Sequence, residues 1–167
     1  EYSTDGTTWS TTAPVAVEGP NTIQVRQTDV AGNVSAPATL TFTLDTTVAA
    51  PTIALATDTG ANTSDGITRD GSYTVTGTEP GALVEYSTDG TTWTTTAPLA
   101  VEGENTIQVR QTDVAGNVSA PATLTFTLDT AVAAPTIALT ADTGANTTDG
   151  ITRDGSYTVT GTEPGAV

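Results

Sequence analysis

The chain has 167 residues, 19 of them acidic against four arginines, for a net charge of −15, and it contains no lysine, histidine, cysteine or methionine. This field excludes nucleic acid and anionic membranes as partners, since a polyphosphate surface needs the opposite charge, and it favours cations. The missing residue types also exclude a disulfide framework and the usual bases and nucleophiles of catalysis near neutral pH, so the sequence reads as a non-enzyme.

An offset of 84 residues organises the rest. Residues 1–47 recur as 85–131 and residues 48–83 as 132–167; of the 83 aligned pairs only eight differ, nearly all by small or conservative changes such as Ser10/Thr94, Val15/Leu99 and Leu83/Val167. The chain is therefore a tandem array. Its unit boundaries fall in two proline-containing linkers, DTTVAAP at 45–51 and DTAVAAP at 129–135. On this division 1–47 is the C-terminal part of one repeat, 48–131 is a complete repeat, and 132–167 is the N-terminal part of the next. A unit divided inside a strand carries unpaired backbone and half a core. The expectation is that the C-terminal part of one copy completes the N-terminal part of another, head to tail.

Seven strands are predicted in the complete unit. Ile53 and Leu55 mark the first, and Tyr73 and Val75 the second, with Thr74 and Thr76 pointing outward. Val84 and Tyr86 mark the third. Asp89-Gly90 is a strong hairpin signal leading to a short fourth strand at Trp93. Leu99 and Val101 mark the fifth, Ile107 and Val109 the sixth. In the seventh, Leu124, Phe126 and Leu128 alternate with Thr123, Thr125 and Thr127, the period of a strand with one dry face and one wet face. Threonine, about a quarter of the chain, suits such half-solvated strands. No segment reads as a helix, and no run of 18 apolar residues is present to span a membrane. The expected fold class is all-β, a row of seven-stranded, two-sheet sandwiches with Trp93, Tyr86, Tyr73 and Phe126 as the large core pieces.

Following the strands up and down sorts the acidic loops by end. Asp45, Glu79 and the loop at 113–117 share the leading end of the unit, while Asp58, Asp65, Asp70, Asp89, Glu102 and Asp129 share the trailing end. When units stack, the trailing end of one meets the leading end of the next, so Asp129 and Glu163 repeat the arrangement of Asp45 and Glu79.

Taken together, QTDVAGN, VEYSTDGTTW, TGTEPGA and the DTT-x-x-AP joint resemble the bacterial immunoglobulin-like repeats of large biofilm-associated, RTX-type surface adhesins, and the resemblance covers the whole chain. It implies a fibronectin III-like or immunoglobulin-like sandwich in a secreted cell-surface protein, where long arrays hold a terminal adhesive domain away from the cell. It also implies calcium between domains as a stiffener. Carried over onto this sequence, the joint ligands are the linker acids Asp45 and Asp129 and the TDVAGN acids Asp29 and Asp113; Glu79 and Glu163 join them from the sorting of the loops. Calcium takes six to eight oxygens from carboxylates and carbonyls in flexible geometry. Against this stands the plainer reading that loop aspartates cap their own turns and keep an array soluble.

Other motifs carry less. The loop at 58–70 has Gly60 where an EF-hand loop places a ligand and lacks its closing glutamate, so it reads as turns. STDGTTW at 87–93 is similar to the Asp-box hairpin of sialidase-type propellers, one residue shorter, with Asp89 bonding turn amides. Two alternatives to the rod remain: a modular glycan- or protein-binding repeat acting through avidity, which needs an exposed aromatic or apolar patch on each unit, and a filament of self-complementing chains.

Overall fold

The computed structural model describes residues 1–163 and Gly165; within the expected 132–167 segment, Pro164, Ala166 and Val167 lie outside the described residues. Among the described residues all regular structure is strand. β1 (Tyr2–Ser3), β2 (Gly19–Val25) and β3 (Ala38–Leu44) form one antiparallel sheet. Residues 48–131 supply β4 (Thr52–Leu55), β5 (Ile67–Thr68), β6 (Tyr73–Thr76), β7 (Leu83–Ser87), β8 (Gly103–Thr112) and β9 (Ala122–Leu128). β10 (Thr136–Leu139) and β11 (Tyr157–Thr160) close the chain as an antiparallel pair.

In the unit 48–131, β4 pairs with β6 in a two-stranded sheet, and β5-β9-β8-β7 form a four-stranded sheet against it. The alternation read from the sequence sets the faces. In β8, Asn105, Ile107, Val109 and Gln111 are buried while the residues between them are more exposed. Ile107 pairs with Leu124 and Asn105 with Phe126, so the apolar side of β9 shares that face. Ile53, Leu55, Tyr73 and Val75 turn inward from the facing sheet. The innermost apolar residues are Ile107, Val109 and Phe126, the core of an immunoglobulin-like β-sandwich.

Three expectations need correction. No strand forms at Leu99 and Val101, because the side-chain amide of Asn105 takes both backbone groups of Val101: Oδ1 accepts from its N–H at 2.9 Å and Nδ2 donates to its carbonyl at 2.7 Å. A backbone satisfied by a side chain has nothing left for a ladder, and Leu99 stays on the surface. The fourth strand shrinks to a single bridge between Tyr86 and Thr94. Trp93 is not a core residue: Arg110, on the outer face of β8, lies 4.2 Å above its ring centroid and donates to Glu85 at 3.0 Å.

One strand escaped the sequence reading. β5 joins the edge of β9 in parallel, with Ile67 opposite Thr127 and Thr68 opposite Leu128. The Thr68 side chain, 1 % exposed, holds the loop together by bonding the backbone of Thr57, Thr59 and Asp70. At the hairpin after β7, Asp89 accepts from the amides of Thr91 and Thr92 at 2.8 and 2.7 Å. Gly90 turns the chain there with φ of 75°, a conformation costly for other residues.

Candidate functional site at the joint between repeats

β3 ends at Leu44 and β4 begins at Thr52, so the linker between them passes over the leading end of the unit 48–131. Two loops meet it there: the turn after β6, which carries Glu79, and the 113–117 loop between β8 and β9. The fastening is done by amides. Asn117 donates from Nδ2 to the carbonyl of Asp45 at 3.0 Å. Gln111, fully buried at the inward end of β8, donates to the carbonyl of Ala49 at 2.8 Å and to that of Gly77 at 3.3 Å, and its Oε1 accepts from the backbone of Glu79 at 2.8 Å. One side chain thus ties linker, turn and sheet together, and burial removes water as a competitor for these bonds.

The carboxylates have local tasks as well. Asp113 is buried and accepts the Asn117 amide at Oδ1 and the Asn117 side chain at Oδ2, both at 2.8 Å. These bonds, the side-chain bond first, hold its pKa below the ordinary carboxylate value. Because Asn117 Nδ2 donates to both Asp113 Oδ2 and the Asp45 carbonyl, a carboxylate oxygen and a linker carbonyl converge on one point. Glu79 accepts from the linker amide of Ala49 at 3.4 Å, while the Asp45 carboxylate caps Thr47 at 3.3 Å.

Of the six sequence-derived residues, the structure brings Asp45, Glu79 and Asp113 to one end of one unit. Glu163 accepts from Ala133 in the second linker at 3.1 Å, and Asp129 caps Ala131 at 3.3 Å. Asp29 stays in its own loop, bonded by Asn33 at 2.8 Å through backbone and side chain, with its pKa lowered chiefly by that side chain. Among the described residues, no group of three or more acidic side chains stands close enough to share a metal ion. The donor set is of the right kind for a hard cation, oxygen throughout; its carboxylates fall short in number, so loop carbonyls and water would have to supply most of a calcium shell.

The linker ends are capped from the preceding sheet. Glu18 accepts from the amide and hydroxyl of Thr46 at 3.1 and 2.8 Å, and Glu102 does the same for Thr130 at 3.2 and 2.8 Å. Gln111, Asn117 and Glu18 were not singled out from sequence, whereas Glu102 was placed with Asp129 at the trailing end. For Gln111 the signal existed, since a polar residue in the buried register of an alternating strand must find partners.

A model of the bacterial Ig-like domain family matches residues 47–130. The chain belongs to the bacterial Ig-like domain family. The match spans the two-sheet sandwich together with the end of the linker that Gln111 holds at Ala49. No curated protein matches the chain. In this Ig-like chain no helix among the described residues is long and apolar enough to cross a membrane.

Proposed function

We infer that the chain is a stretch of an extension rod in a secreted bacterial cell-surface adhesin, in which Ig-like units carry reach and the linker between them carries stiffness. The observation that supports this most is the pair of amide bonds to the linker carbonyls, from the buried Gln111 to Ala49 and from Asn117, at the surface, to Asp45. A linker left to swivel has its carbonyls solvated; here they are bonded to side chains of the unit that follows, and the linker sequence itself recurs at 129–135. A seven-residue strand such as β9 runs about 23 Å, so each unit with its loops adds a few nanometres and reach grows with copy number.

Calcium is the second part of the proposal. The ion takes its place at the joint, with Asp45, Asp113 and Glu79 at the first linker and Asp129 and Glu163 at the second as the carboxylate donors, and Asp29 standing in the equivalent loop of the first segment. Its contribution is linkage: an ion bound only to the closed joint stabilises it by about 2.7 kcal/mol at a hundredfold excess over Kd. Such a gain raises the melting temperature of a unit this size by roughly 10–20 °C.

The test is thermal unfolding of the 167-residue chain in calcium and in chelator, beside an Asp45→Ala/Asp113→Ala variant. A calcium-dependent rise that the variant loses supports the ion at the joint; identical melting curves in calcium and chelator leave the amide bonds as the joint's fastening and remove calcium from the account. The avidity reading receives less support, because Arg110 already covers one face of Trp93 and Arg26 lies 4.0 Å above Trp9 in the same way.

A further inference from the structure

β4 is the first strand of the unit 48–131 and β9 the last. Both run from the leading end to the trailing end, because the linker that enters β4 and the 113–117 loop that enters β9 meet where Asn117 bonds Asp45. Tension on the linkers therefore draws β4 toward the leading end and β9 toward the trailing end, each along its own axis. Their holds are unequal. β9 pairs with β8 over seven residues, whereas β4 pairs with β6 over four. By its own ladder, β4 is the strand that gives first.

β5 changes that balance. It lies parallel to β9 at the trailing end, where the amide of Thr127 donates to the carbonyl of Gly66 at 2.8 Å and the amide of Asp129 to that of Thr68 at 2.9 Å. The chain leaving β4 is stitched to β5 by side chains. The buried Thr68 donates its hydroxyl to the carbonyl of Thr57 at 3.1 Å and accepts from the amide of Thr59 at 3.3 Å. Thr59 Oγ1 in turn accepts from the amide of Arg69 at 2.8 Å, and Asp58 Oδ2 from that of Gly66 at 2.9 Å. Residues 57–59 and 66–69 are thus joined directly, not only through the loop 60–65. The second copy of the loop keeps the stitches, with Thr152 donating to Ala141, Arg153 to Thr143 and Gly150 to Asp142.

We propose that β5 is a mechanical latch of the unit. A pull on β4 passes through the stitches into β5 and is resisted by the two backbone bonds to β9, which lie across the direction of pull. Bonds loaded in that way share the force and break together, whereas bonds loaded end-on open one at a time. β4 leaves its short ladder only when β5 shears from β9, and the loop 60–65 is shielded from the pull until then. The use of such a latch rests on the rod reading above, while the response of its bonds to force does not.

The test is the lifetime of the unit at constant force, with the 167-residue chain held by its two ends and the unit recognised by a step of roughly 25 nm of released chain. Thr68→Val keeps the branched shape and removes the hydroxyl; Thr59→Val cuts the neighbouring stitch at a less buried position. Tyr73→Phe is the control, since it removes a side-chain bond, 2.7 Å to the carbonyl of Pro98, from a strand the pull does not draw on directly. Forced unfolding follows the unfolding rate and not the equilibrium, so each lifetime is set beside the denaturant midpoint of the same chain. Both stitch variants are expected to shorten the lifetime about tenfold or more, while Tyr73→Phe, for a like shift of midpoint, shortens it less than about threefold. Lifetimes equal to the parent's in both stitch variants overturn the latch. So does a shortening that follows the midpoint alike in all three. Either result leaves the calcium melts that test the rod unchanged.

Discussion

Asn117 reaches back 72 residues to the carbonyl of Asp45, 3.0 Å from its side-chain nitrogen, and in the same position bonds the carboxylate of Asp113 at 2.8 Å. The loop that closes one Ig-like unit is therefore the loop that holds the tail of the unit before it. Asn117→Ala removes both bonds and leaves the buried Asp113 carboxylate with one partner fewer. A net loss of about 1 kcal/mol follows for the linker bond alone, and the larger expected effect is on motion: interdomain order parameters or residual dipolar couplings across residues 45–51 should report a freer joint. Unchanged couplings across the linker would remove Asn117 from the joint.

Gln111 carries more, because its whole side chain is buried and both ends of its amide are used. Gln111→Ala strips the partners from Ala49, Gly77 and Glu79 at once and opens a cavity, a loss on the order of 2–4 kcal/mol. Gln111→Glu is the sharper probe. It keeps the shape and the acceptor for the Glu79 amide but turns the donor toward Ala49 and Gly77 into an acceptor, so its cost should fall as the pH is lowered to protonate it. Denaturant midpoints measured across pH separate the two; equal midpoints for Gln111→Ala and the parent contradict the assignment.

Much of this fold was legible in the sequence, and the reasons it failed elsewhere are physical. The threonine alternation around Leu124 and Phe126 places β9 and its faces because strand periodicity is local. Val101 misled because the competing bond comes from the side chain of Asn105, which no pattern of apolar residues reports. Trp93 misled because an aromatic residue after a hairpin suits a core, and only the pairing of Glu85 with Arg110 across β7 and β8 sets a cation above it. β5 is two residues long, too short for any period. At the joint, the charged residues drew notice, while the neutral amides of Gln111 and Asn117 make the bonds that cross it.

The outer-face stack is expected to matter modestly. Arg110 covers Trp93 at 4.2 Å and its guanidinium lies 3.0 Å from Glu85. Arg110→Ala loses a partly exposed cation–π contact and a partly exposed ion pair, together about 1 kcal/mol. It also uncovers the indole, so tryptophan fluorescence should become more readily quenched by acrylamide. Arg110→Lys retains the charge and part of the stack and should fall between the two. Quenching unchanged in Arg110→Ala would mean the guanidinium is not the cover.

Acid should unfold the chain through its turn aspartates. Asp89 is held well below the ordinary carboxylate range, first by the backbone amide of Thr92, then by that of Thr91, and Asp5 repeats this with Thr8 and Thr7. Asp113 and Asp29 are lowered through Asn117 and Asn33, and Asp70 and Asp154 through Ser72 and Ser156. Each has a folded pKa below its unfolded value, so each contributes stability that is complete above the unfolded pKa of about 4 and is lost as the pH falls through the folded one. Stability should therefore be flat from neutral pH down to about 5 and fall steeply below about 4. Asp89→Asn cannot lose a charge there; it should be less stable than the parent at neutral pH and converge with it in acid. Melting temperatures from neutral pH down into acid check this, and parallel curves for parent and variant would take Asp89 out of the acid transition.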